Sequence, residues 1–252
     1  MAFGTPIWSY AKGKKMSIRK CLILALLGSV VLTGCLATSG GPRGTGIDQQ
    51  PMYGGIDRNA SPQLKTGDEQ FIAGVTKEAG SRESASDRFV EQGIRYYYQN
   101  NYSMAMKRFN QAWLLNPKNP EAFWGFAIVY HDEGKNCEAK KMIDRALELK
   151  LSKPIALADA GRIYTLCAVR DESLNQTTKG QYFTKSEELY KKANAVAPNN
   201  DYIHGSWASA YYWRGDYVRS WDMVVKARRL GFVFPNQFIN LLTQKMPEPK
   251  SS

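Results

Sequence analysis

The chain has 252 residues, an apolar fraction of 43% and a formal charge of +11, which suit one or two globular domains. Five of the positive charges lie in residues 1–35, which leaves a modest +6 on the remainder. Such a charge is compatible with a solvated surface or with contact to anionic lipid headgroups and acidic partners. Most aromatic residues follow residue 85, so only that region is expected to bury a core.

The N-terminal stretch has the order of an export signal. Basic residues in 17–20 precede a 12-residue apolar run at 21–32, which is shorter than the roughly 20 residues of a transmembrane helix. The run ends in Leu32-Thr33-Gly34-Cys35, which resembles the lipobox of bacterial lipoproteins. The resemblance implies that residues 1–35 hold a signal peptide and that Cys35 becomes the acylated, palmitate-bearing N-terminus. Residues 1–15 are long for such a signal, which favours Met16 as the translation start.

The residue after the cysteine and the stretch that follows predict where the protein lies. In the resembling lipoproteins, an Asp after the lipidated cysteine indicates inner-membrane retention, whereas this chain has Leu36. The outer membrane, on its periplasmic side, is therefore expected. Residues 36–84 lack sustained periodicity and predict a flexible linker, whose root-mean-square span is roughly 40 Å. A short helix at 68–79 is the alternative for its second half.

The rest of the chain repeats two small-and-aromatic motifs, mostly at a spacing of 34 residues. A small residue followed three positions later by Tyr occurs at Gly93 and Tyr96, Ala127 and Tyr130, Gly161 and Tyr164, and Ala208 and Tyr211. A second motif occurs at Ala105, Phe109, Ala112 and Pro117, at Ala139, Ile143 and Ala146, at Ser186, Tyr190, Ala193 and Pro198, and at Ser220, Val224 and Ala227. Small residues of this kind allow two helices to cross closely, and the aromatic ring fills the space beside them.

These motifs resemble the tetratricopeptide repeat (TPR), in which each unit is a helix hairpin ended by Pro. The resemblance implies an all-α, right-handed solenoid within residues 85–246. Its repeats are predicted at 86–119, 120–153, 154–200 and 201–234, with a capping helix at 235–244. The third repeat contains about 13 extra polar residues around 169–182, which predict either a neutral loop or a loop that contacts a partner.

In TPR proteins the first helices of the repeats line a concave groove. Mapped by register, the groove residues are Val90, Ile94, Tyr97, Tyr98, Trp124, Ile128, His131, Arg162, Tyr202, Tyr212 and Trp213. Aromatic and Arg side chains are common interface anchors, so the groove is predicted to take an apolar or aromatic peptide or helix of a protein partner. The alternative is that these rings pack on the linker, on the capping helix or on each other.

Catalytic and metal-binding motifs are absent from the sequence. His131 and His204 are the only histidines, and neither has a metal-ligand spacing. The sequence therefore predicts a non-enzyme with no cofactor, no metal, no small-molecule substrate and, because it is exported, no nucleic-acid partner. By the repeat register, Cys137 and Cys167 lie on neighbouring antiparallel helices, so a disulfide and two buried thiols are both open.

Three functions are open for this chain, and resemblance to other TPR lipoproteins implies the first two. The first is a lipid-anchored scaffold for pilus or secretion-system assembly. The second is an adaptor that regulates peptidoglycan synthases or hydrolases, and the most distant is a hydrolytic enzyme. Because fold alone does not fix function, the resemblance leaves the partner open.

Overall fold

The computed structural model describes residues 46–249, and the predicted signal peptide, Cys35 and the first part of the predicted linker lie outside the described residues. Within the described range the chain is helical, with three short 3-10 helices and ten α-helices. The 3-10 helices are Ile47–Gln49, Pro51–Gly55 and Arg58–Ala60. The α-helices are α1 Pro62–Ala79, α2 Arg82–Tyr98, α3 Tyr102–Leu115, α4 Pro120–Asp132, α5 Asn136–Glu148, α6 Pro154–Arg170, α7 Gln176–Val196, α8 Asp201–Trp213, α9 Tyr217–Arg229 and α10 Asn236–Lys245.

Local sequence signals set the ends of these helices. Most helices begin after a polar N-cap whose side chain accepts a backbone N–H, as Asn101 does for α3 and Asn200 for α8. Proline occupies the first turn of α1, α4 and α6, where its missing N–H costs no hydrogen bond. The turns inside the second and fourth hairpins contain Gly134 and Gly215 at positive φ, a conformation that glycine adopts without strain.

The α-helices pair in chain order into four hairpins, α2–α3, α4–α5, α6–α7 and α8–α9. The first helices of successive hairpins also pack on one another, so that α2, α4, α6 and α8 lie side by side. One continuous apolar core runs through all four hairpins, with Phe109, Phe126, Tyr190 and Trp221 fully buried in it. The result is the stacked series of helix hairpins that the 34-residue periodicity predicts.

Close contacts between glycines and aromatic rings set the helix spacing. The Phe109 ring of α3 lies between Gly93 of α2 and Gly125 of α4, where an added Cβ would stand 2.4 and 2.3 Å from ring carbons. In the same way Gly161 faces the Tyr190 ring, with a Cβ distance of 2.7 Å. No other residue fits at these positions without moving the ring or the helix, so the repeated small positions record the helix crossings.

The structure differs from the flexible linker predicted for 36–84, because residues 46–79 pack on the first hairpin, and α1 (Pro62–Ala79) contains the helix at 68–79 that was the alternative. The side chain of Asn110, buried on α3, donates to the carbonyls of Asp48 and Gln50 at 3.0 and 2.8 Å and accepts the Tyr53 N–H at 3.1 Å. In α1, the Phe71 ring packs edge-on against Phe89 of α2 at 5.4 Å between centroids. These contacts replace water for the backbone and bury apolar surface, which a flexible tether would leave exposed.

The extra residues of the third repeat lengthen its helices. Helix α6 has 17 residues and α7 has 21, against 13 in each of α4, α5, α8 and α9. Only residues 171–175 separate α6 from α7, and the Asn175 side chain caps α7 by accepting the Thr178 N–H at 2.9 Å. The prediction of a long loop is therefore wrong, because a cap at Asn175 lets the polar residues continue as helix.

Two features close the repeat series. Helix α10 lies where the capping helix is predicted, with Phe238 and Leu242 buried, and the Trp221 indole N–H donates to the Met246 carbonyl at 3.0 Å. A disulfide joins Cys137 at the start of α5 to Cys167 near the end of α6, with an S–S distance of 2.05 Å. It links two hairpins that pack on each other.

The glycine contacts predict a difference between two chemically identical substitutions. Gly125→Ala places a methyl group in the Phe109 ring and should lower the free energy of unfolding by about 1–3 kcal/mol. Gly180→Ala, in α7 with open space around it, should raise it by about 0.5–1 kcal/mol because alanine favours helix. Urea unfolding followed by circular dichroism measures both, and equal effects would contradict the packing argument.

The disulfide predicts a redox-dependent stability. Its sequence separation is 30 residues, so the bond should stabilise the fold by about 3–4 kcal/mol through the entropy of the unfolded chain. Reduction should therefore lower the denaturation midpoint of the wild type, and it should not change that of Cys137→Ser/Cys167→Ser. Two reactive thiols in the denatured, unreduced protein would show that the bond does not form.

Candidate functional site

The candidate site is the surface formed by α2, α4, α6 and α8, called here the first-helix face. These helices carry all the residues predicted to line a groove. The structure separates those residues into a buried group, a central polar network and an aromatic cluster at the end nearest α10. Only part of the predicted groove is therefore accessible to a partner.

Three of the predicted groove residues belong to the core. Val90 and Ile128 are 2% and 1% exposed, and Ile94 is half-buried against the same cluster. Neighbouring first helices close over these side chains, because the glycine contacts bring the hairpins together. The groove prediction is wrong for Val90 and Ile128, which stabilise the fold and offer no surface to a partner.

A buried carboxylate, Asp159 of α6, joins three of the first helices. It accepts the Trp124 indole N–H from α4 at 3.0 Å and the Arg162 guanidinium of its own helix at 2.9 Å. The Tyr202 hydroxyl of α8 donates to the same carboxylate oxygen that Arg162 contacts. Both charged residues are more than nine-tenths buried, and these hydrogen bonds replace part of the water that each charge has lost. Among the described residues, the Nε of Arg162 has no hydrogen-bond partner.

A second carboxylate, Asp132 of α4, extends the network toward the first hairpin. It accepts the Tyr102 hydroxyl of α3 at 3.2 Å, and the Tyr97 hydroxyl of α2 is a further hydrogen-bond donor to it. Beside it, the His131 Nδ1–H donates to the Asn136 amide oxygen at 2.9 Å, which leaves Nε2 as the unprotonated ring nitrogen. Together Asp159 and Asp132 connect all four first helices, and this set is called here the Asp159 network.

Burial and one cation set the charges of the Asp159 network. Burial and the positive charge of Arg162 lower the pKa of His131 to about 3, so the ring is neutral at physiological pH. Burial raises the pKa of Asp132, and the charge of Arg162 opposes that shift. Burial also disfavours the charged form of Arg162. Electrostatic interactions with Tyr202 and Asp159 favour that form more strongly, so the pKa of the guanidinium is raised. Arg162 is thus a fixed cation at the centre of the face.

The remaining predicted residues lie toward the two ends of the face. At one end Tyr98 is 58% exposed and contacts the Tyr97 ring edge-on at 5.6 Å. At the other end Trp213 packs on Tyr212 at 5.3 Å, and Tyr212 packs on Phe238 of α10 at 5.6 Å. Tyr212 therefore packs on the capping helix, which was the alternative to a groove role for these rings.

Two residues of the Asp159 network do not follow from the groove register. Asp132 and Tyr102 were not among the predicted site residues, and they lie 30 positions apart on different hairpins. The available signal was Asp159, which shares the groove register with Arg162 three residues later. An acid and a base at that spacing on one helix indicate an ion pair, but the sequence does not indicate that Tyr202 and Trp124 converge on its carboxylate.

Metal-binding clusters and membrane-spanning helices are both absent from residues 46–249. No group of three or more His, Cys, Asp and Glu side chains in that range is arranged to hold a metal ion. Across the same residues, no helix combines the length and the apolar character needed to cross a membrane.

The pKa of His131 predicts a loss of stability in mild acid. Its folded pKa lies below the unfolded value of 6.5, so the unfolded chain binds the extra proton as pH falls from 6.5 toward 3. Lowering the pH from 7 to 5 should cost about 2 kcal/mol through this group. His131→Gln cannot take up that proton, and its unfolding free energy should change less over the same range. Equal pH dependence of the two proteins would contradict the assignment.

Comparison with known proteins bears on the fold. No protein family model matches the chain, and no curated protein sequence matches it. Among solved structures, the chain is similar to a thermophilic TPR protein of Thermus thermophilus, with 17% identity and a TM-score of 0.52. The match covers 64% of this chain and 80% of that chain. The likeness concerns the fold, and it confirms the predicted all-helical solenoid of TPR-type hairpins.

Proposed function

We propose that this chain is a lipid-anchored scaffold of the bacterial outer membrane that holds a protein partner during envelope assembly. The observation that carries the proposal is the first-helix face. It presents partly exposed aromatic side chains at both ends of a rigid, charge-paired centre. Solenoids of helix hairpins typically act as binding surfaces and not as enzymes, and aromatic side chains are frequent anchors of protein interfaces.

The lipid anchor in this proposal rests on the sequence before residue 46. Basic residues, a 12-residue apolar run and Leu32-Thr33-Gly34-Cys35 occur in the order of a lipoprotein signal. Two or more acyl chains on Cys35 would hold the domain at a membrane, since one chain gives only marginal binding. The preferred pathway is pilus or secretion-system assembly, by resemblance to other TPR lipoproteins.

The burial of Trp124 decides which variants test the face. Trp124 donates to the buried Asp159, so removing its ring would leave a carboxylate without one of its donors and would destabilise the fold. Tyr98 and Trp213 are better targets, because Tyr98 is 58% exposed and Trp213 is only half-buried. They occupy the same register position in the first and fourth repeats, at opposite ends of the face.

The test is crosslinking and affinity recovery from membranes with the full-length chain. Wild type is compared with Tyr98→Ala/Trp213→Ala, with the control Val233→Ala, whose side chain is 87% exposed outside the face, and with Cys35→Ser. Pilus or secretion-system subunits should be recovered with wild type and the control. The amount of these subunits recovered with Tyr98→Ala/Trp213→Ala should be lower by about 10-fold or more, as expected for the loss of two interface anchors. Cys35→Ser should take up no labelled palmitate and should leave the membrane fraction.

Three results would contradict parts of this proposal. Equal recovery of the same partners by the double variant would exclude the first-helix face. Recovery of peptidoglycan synthases or hydrolases in place of pilus or secretion subunits would favour the cell-wall adaptor. Palmitate uptake by Cys35→Ser would exclude that residue as the anchor.

A further inference from the structure

A second surface lies between the second helices α5 and α7, away from the Asp159 network. It is a cavity of about 550 Å³ bounded by the end of α5, the loop after it and one side of α7. Leucines form its apolar part and lysines its polar part. Its main lining residues are Leu147, Leu151 and Leu189 with Lys150, Lys185 and Lys192, and this set is called here the lysine slot.

The lysines of the slot are largely unneutralised. Lys185 lies 3.4 Å from Glu188, its one ion-pair partner, and the nearby Glu148 is taken by Arg145 at 2.7 Å. Across residues 46–249, no carboxylate lies within ion-pairing distance of Lys150 or Lys192. The slot therefore combines an apolar floor with net positive charge, which fits a ligand that is both aliphatic and anionic.

The backbone at Lys150 is an independent sign that the lysine serves the slot. Lys150 has φ of 66° in the turn that ends α5, where its N–H donates to the Leu147 carbonyl at 3.0 Å. The equivalent turn after α9 has Gly231 at φ of 95°, with the same bond to the Arg228 carbonyl at 3.0 Å. Glycine is the relaxed residue in this conformation. The second repeat thus places a lysine, in a conformation that favours glycine, where the fourth repeat has glycine.

The geometry of α7 indicates the shape of the occupant. Lys185, Leu189, Lys192 and Val196 follow one another at helical spacing along one side of α7, where Leu189 is buried as the floor of the slot and the other three reach its surface. This stripe is about 16 Å long at 1.5 Å per residue, which equals roughly three turns of a partner helix. Val196 is 67% exposed at its end and extends the apolar contact surface.

The chain's own N-terminal segment does not match this stripe. Residues 1–45 contain Lys and Arg but no Asp or Glu, so the slot repels them. We propose that the lysine slot binds an amphipathic helix of a partner protein that carries aliphatic side chains and carboxylates along one face. Leu147 and Val196, which keep exposed surface, contact the aliphatic groups above the buried Leu151 and Leu189, while the lysines pair with the carboxylates. This second site does not depend on the first-helix face.

The lysine at φ of 66° provides a variant that removes charge without straining the fold. Lys150→Gly relieves the backbone, and Lys192→Ser removes the second unpaired charge on an exposed side of α7. The matched control is Lys141→Ser/Lys226→Ser, which removes two exposed lysines from α5 and α9 outside the slot. The unfolding temperature of both double variants should be no more than a few degrees below that of wild type.

The probe is a display library of random 16-residue peptides selected on the full-length chain, with each enriched peptide measured by fluorescence anisotropy. Enriched peptides should combine Leu, Ile or Val with Asp or Glu at helical spacing. They should bind Lys150→Gly/Lys192→Ser at least 10-fold more weakly than wild type and bind the control unchanged. Their affinity for wild type should fall as salt rises, since exposed charge pairs are screened.

Three outcomes would overturn the proposal. The first is a selection that enriches no peptide, or only peptides without carboxylates. The second is equal affinity for wild type and Lys150→Gly/Lys192→Ser, with loss on Tyr98→Ala/Trp213→Ala instead, which would assign those peptides to the first-helix face. The third is binding of phosphatidylglycerol vesicles in place of peptides with the same lysine dependence, which would make the slot a lipid site.

Discussion

The close approach of glycines to aromatic rings at the helix crossings is the constraint on which the rest of the structure depends. Phe109 fills the space between Gly93 and Gly125, and Tyr190 fills the space beside Gly161. Because no Cβ fits there, these contacts fix how near each first helix lies to its neighbours. Further along the solenoid, where α6 packs on both α4 and α8, Asp159 accepts hydrogen bonds from these two helices together.

That convergence determines what the first-helix face can offer to a partner. A buried carboxylate and a buried guanidinium are costly to remove from water, and they are tolerated only with near-complete hydrogen bonding. At the centre of the face, Asp159 is held by Trp124, Arg162 and Tyr202, and among the described residues the buried Nε of Arg162 is left without a hydrogen-bond partner. The side chains left for recognition are at the ends, where Tyr98 is 58% exposed and Trp213 is half-buried.

The hairpins were predictable because the small-and-aromatic periodicity is a direct consequence of helix crossing. The docking of residues 46–55 was not, since it relies on the amide of Asn110, which bonds to residues about 60 positions away and leaves no local pattern. The burial of Val90 and Ile128 was also missed. Repeat register tells which face a residue occupies, but it does not tell how far neighbouring helices close over it.

Several first and second helices of the hairpins differ in charge, whereas α2 and α5 each carry as many acidic as basic residues. Helices α4 and α8 contain no Lys or Arg, whereas α3 contains no Asp or Glu and α7 and α9 are predominantly basic. Ligands of different chemistry can thus occupy the first-helix face and the lysine slot without competing. The disulfide links α5, which ends at the slot, to α6, which carries Asp159 and Arg162. A covalent link between these helices holds the two surfaces at a fixed separation. Partners bound to both would then meet at a high effective concentration, even if each bound weakly alone.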